Sequence, residues 1–256
     1  MHLKEIYMEK KYILTDDVID FNGHTLHHIK AVRDFDCVKA GDLGGFIESE
    51  KNLDHDGNAW VSGEAVVFGN AVVFGNAVVS GNAVVSGNAW VSGEAWVFGN
   101  AVVFGNAVVS GNAVVSGDAL VSGSAHVTGD ALVTGDALVS GSAHVTGSAH
   151  VTGDALVTGD ALVSGSALVY GSAHVTGAAQ VTSNADFAVI RGFGSAFRTT
   201  TFFKCSDGQI RTCCGCFYGT LDEFREKVKK THGDSKFAKE YLAIADLMEM
   251  HFKEEQ

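Results

Sequence analysis

Residues 57–182 repeat one six-residue phrase, Gly-x-Ala-x-Val-x, 21 times without a gap, from Gly57-Asn58-Ala59-Trp60-Val61-Ser62 to Gly177-Ala178-Ala179-Gln180-Val181-Thr182. Self-similarity at a fixed short period restricts a chain to a solenoid, in which each unit buries its apolar side against its neighbours. In every copy the third residue is Ala and the fifth is Val. One residue separates them, so on a strand they point the same way. The residue between them varies among Val, Leu, Trp, His and Gln, and the one after them among Ser, Phe, Thr and Tyr. A narrow interior demands constant volume, whereas an exterior tolerates change. Ala and Val are therefore expected inside and the variable columns outside. The reverse would force Trp60, Trp90 and Trp96 into layers that elsewhere hold Val, which close packing does not accept. Gly followed by Asn, Asp, Ser or Glu supplies the corner, because these residues accept the tight or positive-φ geometry of a turn.

Three corners close a triangular coil of 18 residues, so the copies make about seven coils, stacked about 4.8 Å apart. Stacking by 18 defines three outward faces: one with Trp60, Trp96 and His150, one with Val66, Val84 and Val102, and one with Trp90, His126 and His144. Residues 1–56 read as an N-terminal β cap. In it Val18-Ile19-Asp20-Phe21, Asn22-Gly23 and His24-Thr25-Leu26-His27-His28-Ile29 spell a hairpin with a type I′ turn. Residues 57–186 form the repeat domain. Residues 187–256 read as irregular β structure with a cysteine-rich turn, then two helices. Thr220 and Glu223 have capping-box spacing, and Leu221, Phe224 and Val228 share a face. Ser235 caps the second helix, where Phe237, Tyr241, Ile244 and Met248 recur at helical spacing.

Read from each Val, the phrase becomes Val-x-Gly-Asn-Ala-x, which resembles the hexapeptide repeat of left-handed parallel β-helices. The resemblance implies a mainly β, single-stranded, left-handed parallel β-helix. The flanks extend it. Asp42-Leu43-Gly44-Gly45-Phe46-Ile47-Glu48-Ser49 and Cys214-Gly215-Cys216-Phe217, followed by Gly219-Thr220-Leu221-Asp222-Glu223-Phe224, resemble uncharacterised hexapeptide-repeat proteins of bacteriophages and prophages. This implies a bacterial host cell and interference with a host protein, either by docking or by sequestering a small molecule between subunits. Members of that group often carry Lys, Arg and Glu in the outward columns, where this chain has Val, Leu and Trp.

Charge narrows the partners. Residues 57–182 carry no Lys or Arg and 7 Asp or Glu. Phosphate neutralisation supplies most nucleic-acid affinity, so a nucleic-acid partner is not expected. No apolar run is long enough to cross a bilayer. Residues 1–11 are charged and lack the apolar stretch of a secretory signal, and five cysteines form an odd set, so a reduced cytoplasmic setting is expected.

The outward columns hold the candidate interface: Trp60, Phe68, Phe74, Trp90, Trp96, Phe98 and Phe104. Soluble monomers rarely expose so much contiguous apolar surface. The expectation is a non-catalytic, self-associating scaffold or binding protein, a trimer or larger bundle, with no cofactor. The alternative follows from enzymes of the hexapeptide class, which the repeat resembles: a trimeric acyltransferase with His126, His144 or His150 as general base. His126 and His144 stack, His150 lies on another face, and no loop interrupts the coils to shape a pocket. Two metal sites remain as candidates. Asp118, Asp136 and Asp154 recur at one corner and could hold Ca²⁺ or Mg²⁺. Cys205, Cys213, Cys214 and Cys216 could offer thiolates to Zn²⁺, although adjacent Cys213 and Cys214 on a strand would point apart.

Overall fold

The computed structural model of the protein describes residues 10–253; the charged start over residues 1–9 lies outside them. It divides into two compact units, one up to Ser124 and one from Ala125, so the division falls within the repeats. In both, Ala and Val of every copy are fully buried and the column between them faces out. Each copy contributes a two-residue strand, such as Trp90–Val91, paired in parallel with the copies 18 residues away. The fold is a mainly β, parallel solenoid.

In the first unit the outward residue of each strand donates its N–H to the next coil, as Trp90 does to Ala107 O at 2.9 Å and Trp96 to Ala113 O at 2.9 Å. The corners are tied by amide ladders. Asn70 Nδ2 donates to Asn88 Oδ1 at 3.0 Å, and Asn88 Nδ2 to Asn106 Oδ1 at 2.9 Å. Such ladders satisfy one another coil by coil, as they do in stacked sheets.

The winding starts before the first repeat. Strand β3, Leu43–Ile47, pairs in parallel with Val66–Val67, and Leu53 bridges Val73. This irregular turn brings the solenoid to about 8 turns. Its buried Asn52 donates through Nδ2 to Gly69 O and Ala71 O at 3.1 and 2.9 Å. Glu48 Oε2 accepts from Gly69 N–H at 2.7 Å. That bond, after the one from His24, holds the Glu48 carboxyl below its ordinary range. Strands β1, Tyr12–Phe21, and β2, His24–Ala31, form the expected hairpin, with Asn22 and Gly23 both at positive φ (53° and 83°). Strand β2 then pairs antiparallel with β3, so the hairpin adds strands beside the coil.

The second unit carries the later repeats and the C-terminal module. Residues 187–220 are more regular than their sequence suggests. Phe187–Phe193, Arg198–Lys204, Ile210–Cys214 and Phe217–Thr220 form an antiparallel sheet in chain order. The cysteine-rich turn is the Gly215-Cys216 bend that closes its last hairpin. Helix α1, Leu221–His232, starts on the Thr220–Glu223 capping box, and α2, Lys236–Phe252, on Ser235. Both bury their apolar faces on the sheet, around Phe202, Phe224, Tyr241 and Met248. The sheet also meets backbone groups of the last repeats: His174 N–H donates to Thr201 Oγ1 at 3.0 Å, and Ser206 N–H to Ala178 O at 3.0 Å. Asp186 completes the closure, accepting from the N–H and hydroxyl of Thr182 at 3.0 and 2.7 Å while Lys204 Nζ lies 3.3 Å away. Burial opposes its charge, but these donors leave its carboxyl below the ordinary range.

Candidate functional site

The seven interface candidates separate into covered and bare groups. Trp60 is only 6% exposed. Its indole packs edge-on against Phe35 at 5.3 Å and Tyr12 at 6.4 Å, both from the N-terminal segment. Phe68 is half-buried under the hairpin, with Phe21 at 5.7 Å and His24 at 4.7 Å. Neither is part of the available surface, because the chain's own cap occupies it. Phe74 is half-buried and stands edge-on to Trp90 at 5.9 Å. Trp90 and Trp96 are each 54% exposed, Phe104 is 41% and Phe98 37%.

These bare aromatics do not share one flank. Trp90 sits on the face between Val72 and Val108. Trp96 sits on the next face, between Val78 and Val114. Only the corner Ser92-Gly93-Glu94-Ala95 separates the two strands that carry them. The indoles therefore flank one corner, with Phe98 at the far end of the Trp96 strand and Phe104 a corner further on. The third face is partly roofed: Leu26, Phe46 and Val66 form a buried cluster, with Val84 packed against it.

The histidines lie in the second unit. His126 and His144 pair in register, with ring centroids 4.8 Å apart and the planes tilted by 31°. His150 is exposed on a different face, between Leu132 and Leu168. All three stand on two-residue strands joined by the same short corners as the other repeats. The aspartates are spread over both units. Asp118 Oδ1 accepts from Asn100 Nδ2 at 2.8 Å in the first, closing an amide ladder; Asp136 and Asp154 belong to the second. The cysteines are free thiols. Cys213 is buried with its Sγ 3.9 Å from His174 Nδ1, whereas Cys214 accepts from Thr200 Oγ1 at 3.2 Å, so the two do point apart. Burial pushes the Cys213 thiol up, reinforced by Cys214, and burial also raises Cys205. Neither is primed as a thiolate. Among the described residues no three His, Cys, Asp or Glu side chains converge on a metal position.

Sequence reasoning misses one polar cluster. Lys11 is fully buried beneath the cap, its Nζ 5.4 Å from the Phe35 ring centre and 3.4 Å from Asp56 O. Desolvation lowers it from 10.5 to about 8 against the pull of Asp54. Tyr12 stacks on His55 at 4.3 Å and donates to Leu53 O at 2.6 Å. The Lys10-Lys11 pair looks like solvated charge in the sequence. Nothing in its spacing marks one lysine as interior.

Among the described residues no helix is long and apolar enough to cross a membrane. Residues 79–93 match a family model described as YdcK Beta solenoid repeat. The matched stretch includes Trp90, and it supports the solenoid reading of the repeats. No curated protein matches the chain.

Proposed function

We propose that the protein is a non-catalytic scaffold that associates with copies of itself, with the corner flanked by Trp90 and Trp96 at the centre of the contact. The observation that carries this is the pair of indoles, each 54% exposed beside valine ribbons. Two such rings on adjacent faces are a costly surface to leave in water. The chain's treatment of Trp60 supports the reading, since the same outward column is covered there by Tyr12 and Phe35. Aromatic anchors ringed by smaller apolar residues are the usual centre of a binding energy hot spot. Free thiols, with Cys37 and Cys216 exposed, suit a reducing compartment such as the cytoplasm of a bacterial host.

The test is light scattering of the purified chain over a wide concentration range, with and without host extract. A concentration-dependent dimer, trimer or larger bundle is expected. A monomer that persists to millimolar concentration overturns the reading. So does capture of a stoichiometric host protein in place of a second copy, which would make a host protein the partner.

A further inference from the structure

The C-terminal module holds a cavity of about 300 Å³ between its sheet and its two helices. Phe217, Phe224 and Val228 give it an apolar wall, and Arg198, Lys227 and His232 line its polar side. No Asp or Glu lines it. Among the described residues, none of the three basic side chains has a carboxylate within ion-pair distance. Two other arginines of the module are paired: Arg211 holds Asp207 at 2.6 Å, and Arg225 holds Asp222, Asp246 and Glu249 at 2.6–3.0 Å. The Arg198 guanidinium passes close over Gly215, where a Cβ would make the flexible end of that side chain shift. Burial, then the neighbouring Cys214, raises Tyr241 to about 12, so its hydroxyl, which donates to Phe193 O at 3.3 Å, stays neutral and adds no negative charge.

A concave site that joins an aromatic wall to a few convergent polar groups is how small-molecule pockets are built. Its volume is at the small end of that range, enough for one ring. The planar fork of Arg198 matches a carboxylate or phosphonate oxygen pair, and Lys227 adds a point charge. The geometry points to this cavity as a binding site for a small aryl anion, one flat ring bearing a carboxylate or phosphonate group. The ring lies against Phe217 and Phe224, and the anionic group takes the guanidinium that no protein carboxylate occupies. This site is independent of self-association through the repeats.

Isothermal titration of the full chain with benzoate and with phenylphosphonate tests it, with benzamide and inorganic phosphate as controls. Saturable binding of at least one aryl anion is expected, with both controls about tenfold weaker or more, as loss of a charged hydrogen bond implies. Binding of neither aryl anion overturns the assignment, and so does equal binding of benzamide or of phosphate. Arg198→Ala removes an exposed side chain and should weaken the aryl anion about tenfold, while Lys230→Ala, outside the cavity, should leave it unchanged. Equal affinities for the wild type and Arg198→Ala overturn it. Location is read at Cys216, an exposed thiol in the lining: bound ligand should slow its alkylation by iodoacetamide relative to Cys37. Binding without that protection places the ligand elsewhere and also overturns the assignment.

Discussion

Trp60 and Trp96 occupy the same outward column, so replacing each by serine separates folding from association. Trp60→Ser empties a covered site. With the indole 6% exposed and held by Phe35 and Tyr12, the loss should be about 3–5 kcal/mol of fold stability, the usual range for truncating a buried large aromatic. Trp96→Ser removes a ring that is 54% exposed. The isolated chain should lose little, within about 1 kcal/mol, as surface changes do. Association should suffer. A tryptophan buries up to about 250 Å², and the half left bare amounts to about 100–130 Å². At about 25 cal/mol per Å² this is close to 3 kcal/mol per ring. A two-fold contact counts it twice, giving about 6 kcal/mol, or about four orders of magnitude in the dissociation constant. Urea unfolding at a fixed low concentration reads the first effect, and sedimentation equilibrium reads the second. Association that survives Trp96→Ser and Trp90→Ser with unchanged affinity refutes the argument, because no other bare side chain on these two faces is as large.

Two further outcomes test the coil and its cap. Gly93 has φ +70°, and a Cβ there would come within 2.9 Å of the Gly111 backbone N and O, whereas at Gly171, φ +62°, it would meet nothing within 4 Å. Gly171→Ala should cost only the positive-φ term of about 1–2 kcal/mol, while Gly93→Ala adds about 1–3 kcal/mol of backbone crowding; equal shifts in unfolding midpoint would show that coil approach does not limit these corners. Lys11 is lowered to about 8 in the fold from 10.5, so below about pH 8 it is charged in both states and the fold carries the full desolvation cost. Between about pH 8 and 10.5 the unfolded chain binds the extra proton and stability should rise with pH, by up to about 3 kcal/mol. Lys11→Met should be more stable at pH 7 and lack that rise, as the difference between the two pH profiles would show.

The repeat made half the architecture legible because it constrains volume directly. Every Ala and Val of the phrase is interior, the three faces carry the residues that an 18-residue stack assigns to them, and His126 meets His144. Capping residues were equally readable at Thr220 and Ser235, where a side chain satisfies orphan N–H groups in its own neighbourhood. What stayed hidden depends on partners far away in sequence. The sheet over residues 187–220 owes its regularity to pairings such as Thr200 with Cys214 and to helices packed behind it, and short strands with bends at Gly194, Gly208 and Gly215 carry a weak alternation. Lys11 is interior only because the cap folds over residues 53–57.

Trp60 and Trp96 show most sharply where periodicity stops informing. They are the same residue at the same position of the phrase, two coils apart in one column, yet one is covered and the other bare. The repeat fixes which way a side chain points, since that follows from the strand. It does not say whether anything lies beyond the wall, since that follows from Phe35 and Tyr12, 25 and 48 residues upstream of Trp60. On the proposed self-association, the cap is a template for the contact. It shows aromatic edges from two separate places in the cap, Tyr12 on β1 and Phe35 in the turn after β2, closing over an indole in this column. A second copy that meets Trp90 and Trp96 needs only to offer the same, and the chain already carries such edges at Phe98 and Phe104. A contact built this way should be dry and aromatic at its centre, insensitive to salt, and weakened by substitutions at the bare rings but not at the histidine stack of His126 and His144.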